Sequence, residues 1–215
     1  MVNLKQSFKK FWHFIWEEDS IWSWLANVLL AIILIKFIIY PALGFALDTK
    51  YPIVAVVSGS MEHHGDFDTW WQKPAICDVA CTQGEFYTKL NITKDKFENF
   101  KFKNGFNKGD IMILSGVSPD KVNIGDVLVY TSVTPDPIIH RAILMRENNG
   151  KYSYTTKGDF NPTINPHIFE ADIDQSRLLG KAVFRIPFLG WLKITAYCGY
   201  TSITTKDTFV ACMVR

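Results

Sequence analysis

Net charge is nearly absent from this chain. Its 23 Lys and Arg against 21 Asp and Glu leave +2 over 215 residues, which gives no electrostatic case for nucleic acid as a partner. Internal repeats are also lacking, so repeat architectures are excluded. Cysteine is scarce, with four residues in all. Cys77 and Cys81, together with His63, His64, Asp66 and Asp68, match no standard zinc spacing. The expectation is therefore of no metal and no cofactor. A small-x-small cleavage site is missing after the first apolar run, which argues against a removable leader.

Aromatic residues and one long apolar run are present instead. Ile21 to Leu47 is almost unbroken, and Ile21 to Tyr40 alone reaches the length of about 20 residues that a spanning helix needs. Lys36 sits near its end, where a snorkelling stem reaches the headgroups. Pro41 is expected to end or kink the helix. Trp12, Trp16, Trp22 and Trp24 cluster near this anchor, as amphipathic rings do at a bilayer interface. Lys5, Lys9 and Lys10 precede it and Lys50 alone follows closely, a bias that favours a cytoplasmic N-terminus. A Cys77–Cys81 loop and the sequon Asn91-Ile92-Thr93 suit an extracytoplasmic soluble part. Cys198 and Cys212 are free to pair with each other, although spacing does not fix connectivity.

The expected organisation is a cytoplasmic segment over 1–20, an anchor over 21–47 and a catalytic β-domain over 48–215. Short β-branched runs separated by Gly, Pro, Asn and Asp predict strands over 53–57, 110–114, 126–130, 138–144, 152–156 and 180–186. Asn148-Asn149-Gly150 marks a hairpin between two of them. The fold class is read as mainly β, a coiled antiparallel sheet. Residues 63–108 break this rhythm and read as an inserted subdomain or long loop, helical around Thr93 to Phe100. Trp70 and Trp71 are expected to pack inside it or to touch lipid.

The chemistry concentrates in three places. Ser58-Gly59-Ser60-Met61-Glu62 puts serines in a tight turn after the strand at 53–57. A serine is a weak nucleophile without a neighbouring base. His140 lies within an apolar strand, where a polar ring needs partners and suits a positioned base. Asp159 follows Lys157-Gly158 at a strand end and is placed to orient the imidazole. Lys157 itself reads as a solvated turn side chain.

These blocks resemble signal peptidase I, in the branch shared by archaea and the endoplasmic reticulum. The resemblance rests on Ser58-Gly59-Ser60-Met61-Glu62, on Gly125 to Tyr130 followed by Ile138-Ile139-His140-Arg141, and on Thr156-Lys157-Gly158-Asp159-Phe160-Asn161. A weaker block runs from Gly180 through Val183 and Ile186-Pro187 to Gly190. Together they occupy residues 58–190 in the family's order. The resemblance implies a membrane-bound serine endopeptidase that cuts signal peptides from preproteins after small residues. Ser60 is then the nucleophile, His140 the base and Asp159 the first family aspartate. Ser58 joins the Ser60 amide in the oxyanion hole. Shallow apolar pockets near Val54 to Val57 receive the small residues. The implied partners are preproteins, the lipid bilayer and the protein translocation channel.

The chain departs from that pattern in three ways. Asn165 stands where the family has its second aspartate, so it supports the site without charge, or Asp172 or Asp174 substitutes. His63 replaces a proline after Glu62. The insertion at 63–108 is much longer than the family's loop. Two rival readings follow: an inactive pseudo-peptidase that binds translocating chains, and a dedicated or self-cleaving protease of the same fold.

Overall fold

The computed structural model describes residues 4–204 and 212–213. They divide into two compact units, Met1–Ala46 and Leu47–Arg215. In the first unit, α1 (Leu4–Trp16) is followed by Ser20, whose side chain accepts from the Ser23 amide and caps α2 (Ile21–Leu34). The helix does not stop at Pro41. A π-helical turn at Ile35–Ile39 leads into α3 (Tyr40–Ala46), and the Tyr40 amide reaches back to the Ile35 carbonyl. Proline has no N–H to donate and its ring crowds the preceding turn, and a widened turn beside it accommodates both effects. The continuous helix Ile21–Ala46, 26 residues long, is the one helix among the described residues long and apolar enough to cross a membrane.

The second unit is built on a seven-stranded antiparallel sheet, with strands taken here in chain order. They are β1 (Ile53–Ala55), β4 (Ile111–Ser115), β5 (Val127–Tyr130), β6 (Ile138–Asn148), β7 (Lys151–Lys157), β8 (Ile173–Asp174) and β9 (Leu178–Ile186). The insertion supplies β2 (Pro74–Ile76) and β3 (Ala80–Thr82), which pair with each other as a separate ribbon. The spatial order is β1-β4-β9-β5-β6-β7-β8. Register shifts at Ile113/Leu114, Val129/Tyr130 and Ala142/Leu144 curl the sheet into a half-barrel. Asn149 and Gly150 both take positive φ (52° and 75°), the conformation a two-residue hairpin turn requires.

β5 is buried along its whole length and alternates between two cores. Val127 and Val129 join Val56, Met61, Phe106, Met112 and Leu114 on one face. Leu128 and Tyr130 join Val122, Ala142, Tyr154 and Ile173 on the other. Val56 thus belongs to the core, while Val54, Ala55 and Val57 beside it are half-buried.

Residues 63–108 form a compact layer. It contains α4 (Phe67–Trp71), the β2–β3 ribbon, α5 (Gln83–Lys89) and α6 (Lys94–Glu98). Trp70, Trp71, Tyr87, Ile92 and Phe97 fill its centre and pack against Ile143 of β6. The Cys77–Cys81 disulfide closes the ribbon, and Thr82 with Glu85 forms a capping box for α5. Asn91 is exposed at the α5–α6 turn. A last helix, α7 (Trp191–Thr204), carries Cys198, which is bonded to Cys212. With 40 % helix and 23 % strand, the chain is mixed, and the mainly β expectation holds only for its sheet. Short apolar turns in the insertion and the last helix lack the long period that would have announced them.

Candidate active site

Ser60 lies in the bend after β1, in a turn closed by the Glu62 amide donating to the Gly59 carbonyl at 3.0 Å. Two neighbours fix that turn. Met61 is fully buried in the core under the sheet, worth about 1.5–3 kcal/mol for such a side chain. The Phe160 amide donates to the Ser60 carbonyl at 2.9 Å. The Ser60 side chain itself stays half-exposed.

His140 is held rigidly in β6, opposite Leu128 of β5, and is only 3 % exposed. Its Nε2 lies 2.8 Å from Ser60 Oγ. Its Nδ1 faces Glu170 Oε1. A carboxylate accepts, so Nδ1 carries the proton and Nε2 presents its lone pair to the serine hydroxyl. The other Glu170 oxygen accepts the Asn165 amide at 2.5 Å. The Glu170 carbonyl receives the Thr156 amide at 2.9 Å, which ties this loop to β7. Ser58 Oγ is 3.2 Å from Ser60 Oγ and is exposed to solvent.

The serine, the histidine and a buried carboxylate are therefore brought together, but the carboxylate is Glu170. Asp159, expected to orient the imidazole, faces another way. Arg141 donates to it through Nε at 2.9 Å and Nη2 at 2.7 Å, Tyr87 through its hydroxyl at 3.1 Å, and His63 Nε2 lies 3.1 Å away. Burial alone would push the Asp159 carboxyl up. The Arg141 charge and the hydrogen bonds from His63 and Arg141 hold it well below the usual carboxylate range. Burial lowers His63, against the raising effect of its bond to Asp159. His63 is then neutral, with Nε2–H donating and Nδ1 left without a partner among the described residues. Its ring stacks on Trp70 at 3.8 Å, and Trp70 Nε1 donates to the Asp159 carbonyl at 3.0 Å.

Asp159 and Arg141 thus bolt the insertion to the sheet, and the proline-to-His63 departure supplies one of the bolts. Asn165 acts on the site through its backbone amide, while its side chain accepts from His167 N. Asp172 pairs with Arg146 and Asp174 caps Ser176, so neither substitutes at His140. Glu170 had a weak signal at most: one acid between Phe169 and Ala171, in a loop the strand pattern leaves unassigned.

Gly158 is the point of closest approach. A Cβ there would stand 2.7 Å from Asn161 Nδ2, 2.8 Å from the Ser60 carbonyl and 2.9 Å from His140 Nε2. Only glycine lets the β7 end lie against both Ser60 and His140.

Lys157 is fully buried, contrary to its reading as a solvated side chain. Its Nζ donates to Gln83 Oε1 at 2.8 Å and the Gly158 carbonyl at 3.0 Å, beside the Phe86 and Tyr87 rings. Burial pushes its amine down to about 7, against the raising charges of Asp159 and Glu170. The unfolded lysine titrates near its ordinary value of about 10.4. Between these two values the unfolded chain binds the extra proton, so stability rises as pH increases through that window. Below pH 7 the buried charge imposes its full cost. Lys157→Met is expected to flatten the wild-type rise in unfolding free energy between pH 7 and pH 10. Denaturant titrations in detergent at both ends of that range check this.

The possible ligands in the insertion are engaged elsewhere. Asp66 caps α4 through the Thr69 amide, Asp68 pairs with Lys94, and His64 meets Glu62 at 3.1 Å. Among the described residues no group of three or more His, Cys, Asp or Glu is placed to hold a metal ion. No family model matches the chain, and comparison with curated proteins returns no match.

Proposed function

We propose that this chain is a membrane-anchored serine endopeptidase that removes signal peptides from exported preproteins. The observation that carries the reading is the 2.8 Å approach of His140 Nε2 to Ser60 Oγ, with a buried carboxylate behind the imidazole. Residue blocks like those of the Ser–His branch of signal peptidase I add the substrate class. The apolar helix Ile21–Ala46 supplies an anchor, and the lysine bias favours a cytoplasmic N-terminus. The half-barrel is then a signal-peptidase-like catalytic domain on the extracytoplasmic side, near the translocation channel.

In this mechanism His140 takes the Ser60 proton as Oγ attacks the carbonyl that follows a small residue. Glu170 holds the ring in the tautomer that accepts and offsets the positive charge that develops on it. The Ser60 amide and the Ser58 hydroxyl receive the oxyanion, a role in which a single donor is worth roughly 2.7–4 kcal/mol elsewhere. The imidazolium returns its proton to the leaving amine, and the mature chain departs. Water, activated by the same histidine, then hydrolyses the acyl-enzyme.

The test is incubation of the full chain in liposomes with a preprotein carrying Ala at the first and third positions before the cut. One product with the mature N-terminus is expected. An uncut preprotein that nonetheless co-purifies with the chain would overturn the reading in favour of a binding-only role. Cleavage confined to the chain itself would point to self-processing.

A further inference from the structure

α1 (Leu4–Trp16) leaves an apolar face without a protein partner. Phe8, Phe11, Trp12 and Trp16 are 63 %, 52 %, 52 % and 70 % exposed, while Ile15 is buried. Phe8, Trp12 and Trp16 recur every four residues, and their rings form a strip with centroids 6.1 Å and 5.7 Å apart. Lys10 and His13 lie on the face away from the strip, Lys9 borders it next to Trp16 and Lys5 lies in line with it, one turn before Phe8; no acid falls within the helix. Water does not stabilise so much contiguous exposed aromatic surface.

The helix does not swivel freely. Ser23 Oγ donates to the Phe14 carbonyl at 2.6 Å, and Asn27 Nδ2 donates to the Ile15 carbonyl at 2.8 Å. Both donors belong to the first turns of α2, where the apolar span begins. The C-terminal end of α1 is thereby fixed to the segment that enters the hydrocarbon.

We propose that α1 is an in-plane amphipathic anchor for an anionic bilayer surface. Its aromatic strip beds at the boundary between headgroups and acyl chains, and Lys5, Lys9 and Lys10 meet lipid phosphates. Three observations select lipid as the occupant. The face is continuous with the start of the span, Trp and Phe are suited to that depth, and the flanking charge is basic on a helix with no acid of its own. The acidic run Glu17-Glu18-Asp19 lies beyond the helix, in the turn to α2, and Glu17 is 3.3 Å from His13.

The test uses the full chain reconstituted in vesicles of phosphatidylcholine with or without about 30 % phosphatidylglycerol. The four native cysteines are paired, so single spin labels are introduced through Phe8→Cys, Lys10→Cys, Trp12→Cys or His13→Cys. Labels at 8 and 12 are expected to favour oxygen collisions and those at 10 and 13 the aqueous nickel chelate. The contrast should be larger in the anionic vesicles, and Lys5→Gln, Lys9→Gln and Lys10→Gln together should remove that gain. Equal chelate access at the four sites would overturn the proposal. So would shielding of 8 and 12 accompanied by spin–spin broadening, which would assign the face to a second copy of this chain. Neither readout depends on cleavage, so the peptidase reading stands or falls separately.

Discussion

Ser60→Ala is expected to abolish preprotein cleavage, and His140→Ala to match it within a few fold. Each loss should reach roughly 10⁴–10⁶ in kcat, because a nucleophile and its base act as one unit. The double variant should therefore be no worse than either single one. Ser60 is half-exposed, so Ser60→Ala should leave the fold intact, while His140→Ala removes the partner of the buried Glu170 and its rate is compared per folded molecule. The measurement is single-turnover cleavage of a labelled preprotein in liposomes. Cleavage that survives His140→Ala would remove histidine from the mechanism. Multiplicative losses in the double variant would mean that the 2.8 Å contact is not used in the reaction.

The second large effect separates two buried carboxylates, Glu170 and Asp159. Glu170→Gln is expected to lower kcat by roughly 10⁴-fold while leaving the unfolding midpoint nearly unchanged. Glu170 accepts from two donors at once, the His140 ring and the Asn165 amide. An amide offers one oxygen to that pair. When the oxygen turns to Asn165, an N–H group faces Nδ1 and drives the imidazole proton to Nε2, where it blocks attack. Asp159→Asn should do the reverse. It leaves the Arg141 guanidinium buried without its counter-charge, a change that costs about 3–5 kcal/mol where one partner of a buried pair is removed. Against a typical total of about 5–15 kcal/mol, such a loss is readily seen in denaturant titrations. Residual activity per folded molecule should stay within about tenfold of wild type. A silent Glu170→Gln combined with a rate-killing, stability-neutral Asp159→Asn would return the orienting role to Asp159.

The contrast between those two acids shows where local pattern stops being informative. Ser60 and His140 were legible because each sits in a context with a local physical meaning, one in a tight turn and the other as a polar ring in an apolar strand. The Asn149-Gly150 turn was legible for the same reason, since two positive φ angles select those residue types. Asp159 was conspicuous in the same way, at a strand end after Lys157-Gly158. Its partner could not be read, because the Arg141 guanidinium and the Tyr87 hydroxyl reach it from positions remote along the chain. Lys157 was misjudged for a related reason. Next to a glycine at a strand end it resembles a solvated residue, and only the packing of α5 over β7 buries it beside Gln83.

The sequence alone determined the local periods. It placed one apolar run able to span a bilayer, a series of β-branched strands and a serine turn after the first of them. These follow from backbone propensity and from the match between apolar repeat and element geometry, which need only neighbouring residues. Tertiary structure decided what lies between elements. It folded residues 63–108 into an aromatic layer on β6 and gave the histidine Glu170 as its carboxylate. Those outcomes depend on which side chains meet after the sheet curls, and a buried charge takes the partner that chain closure brings within hydrogen-bonding distance.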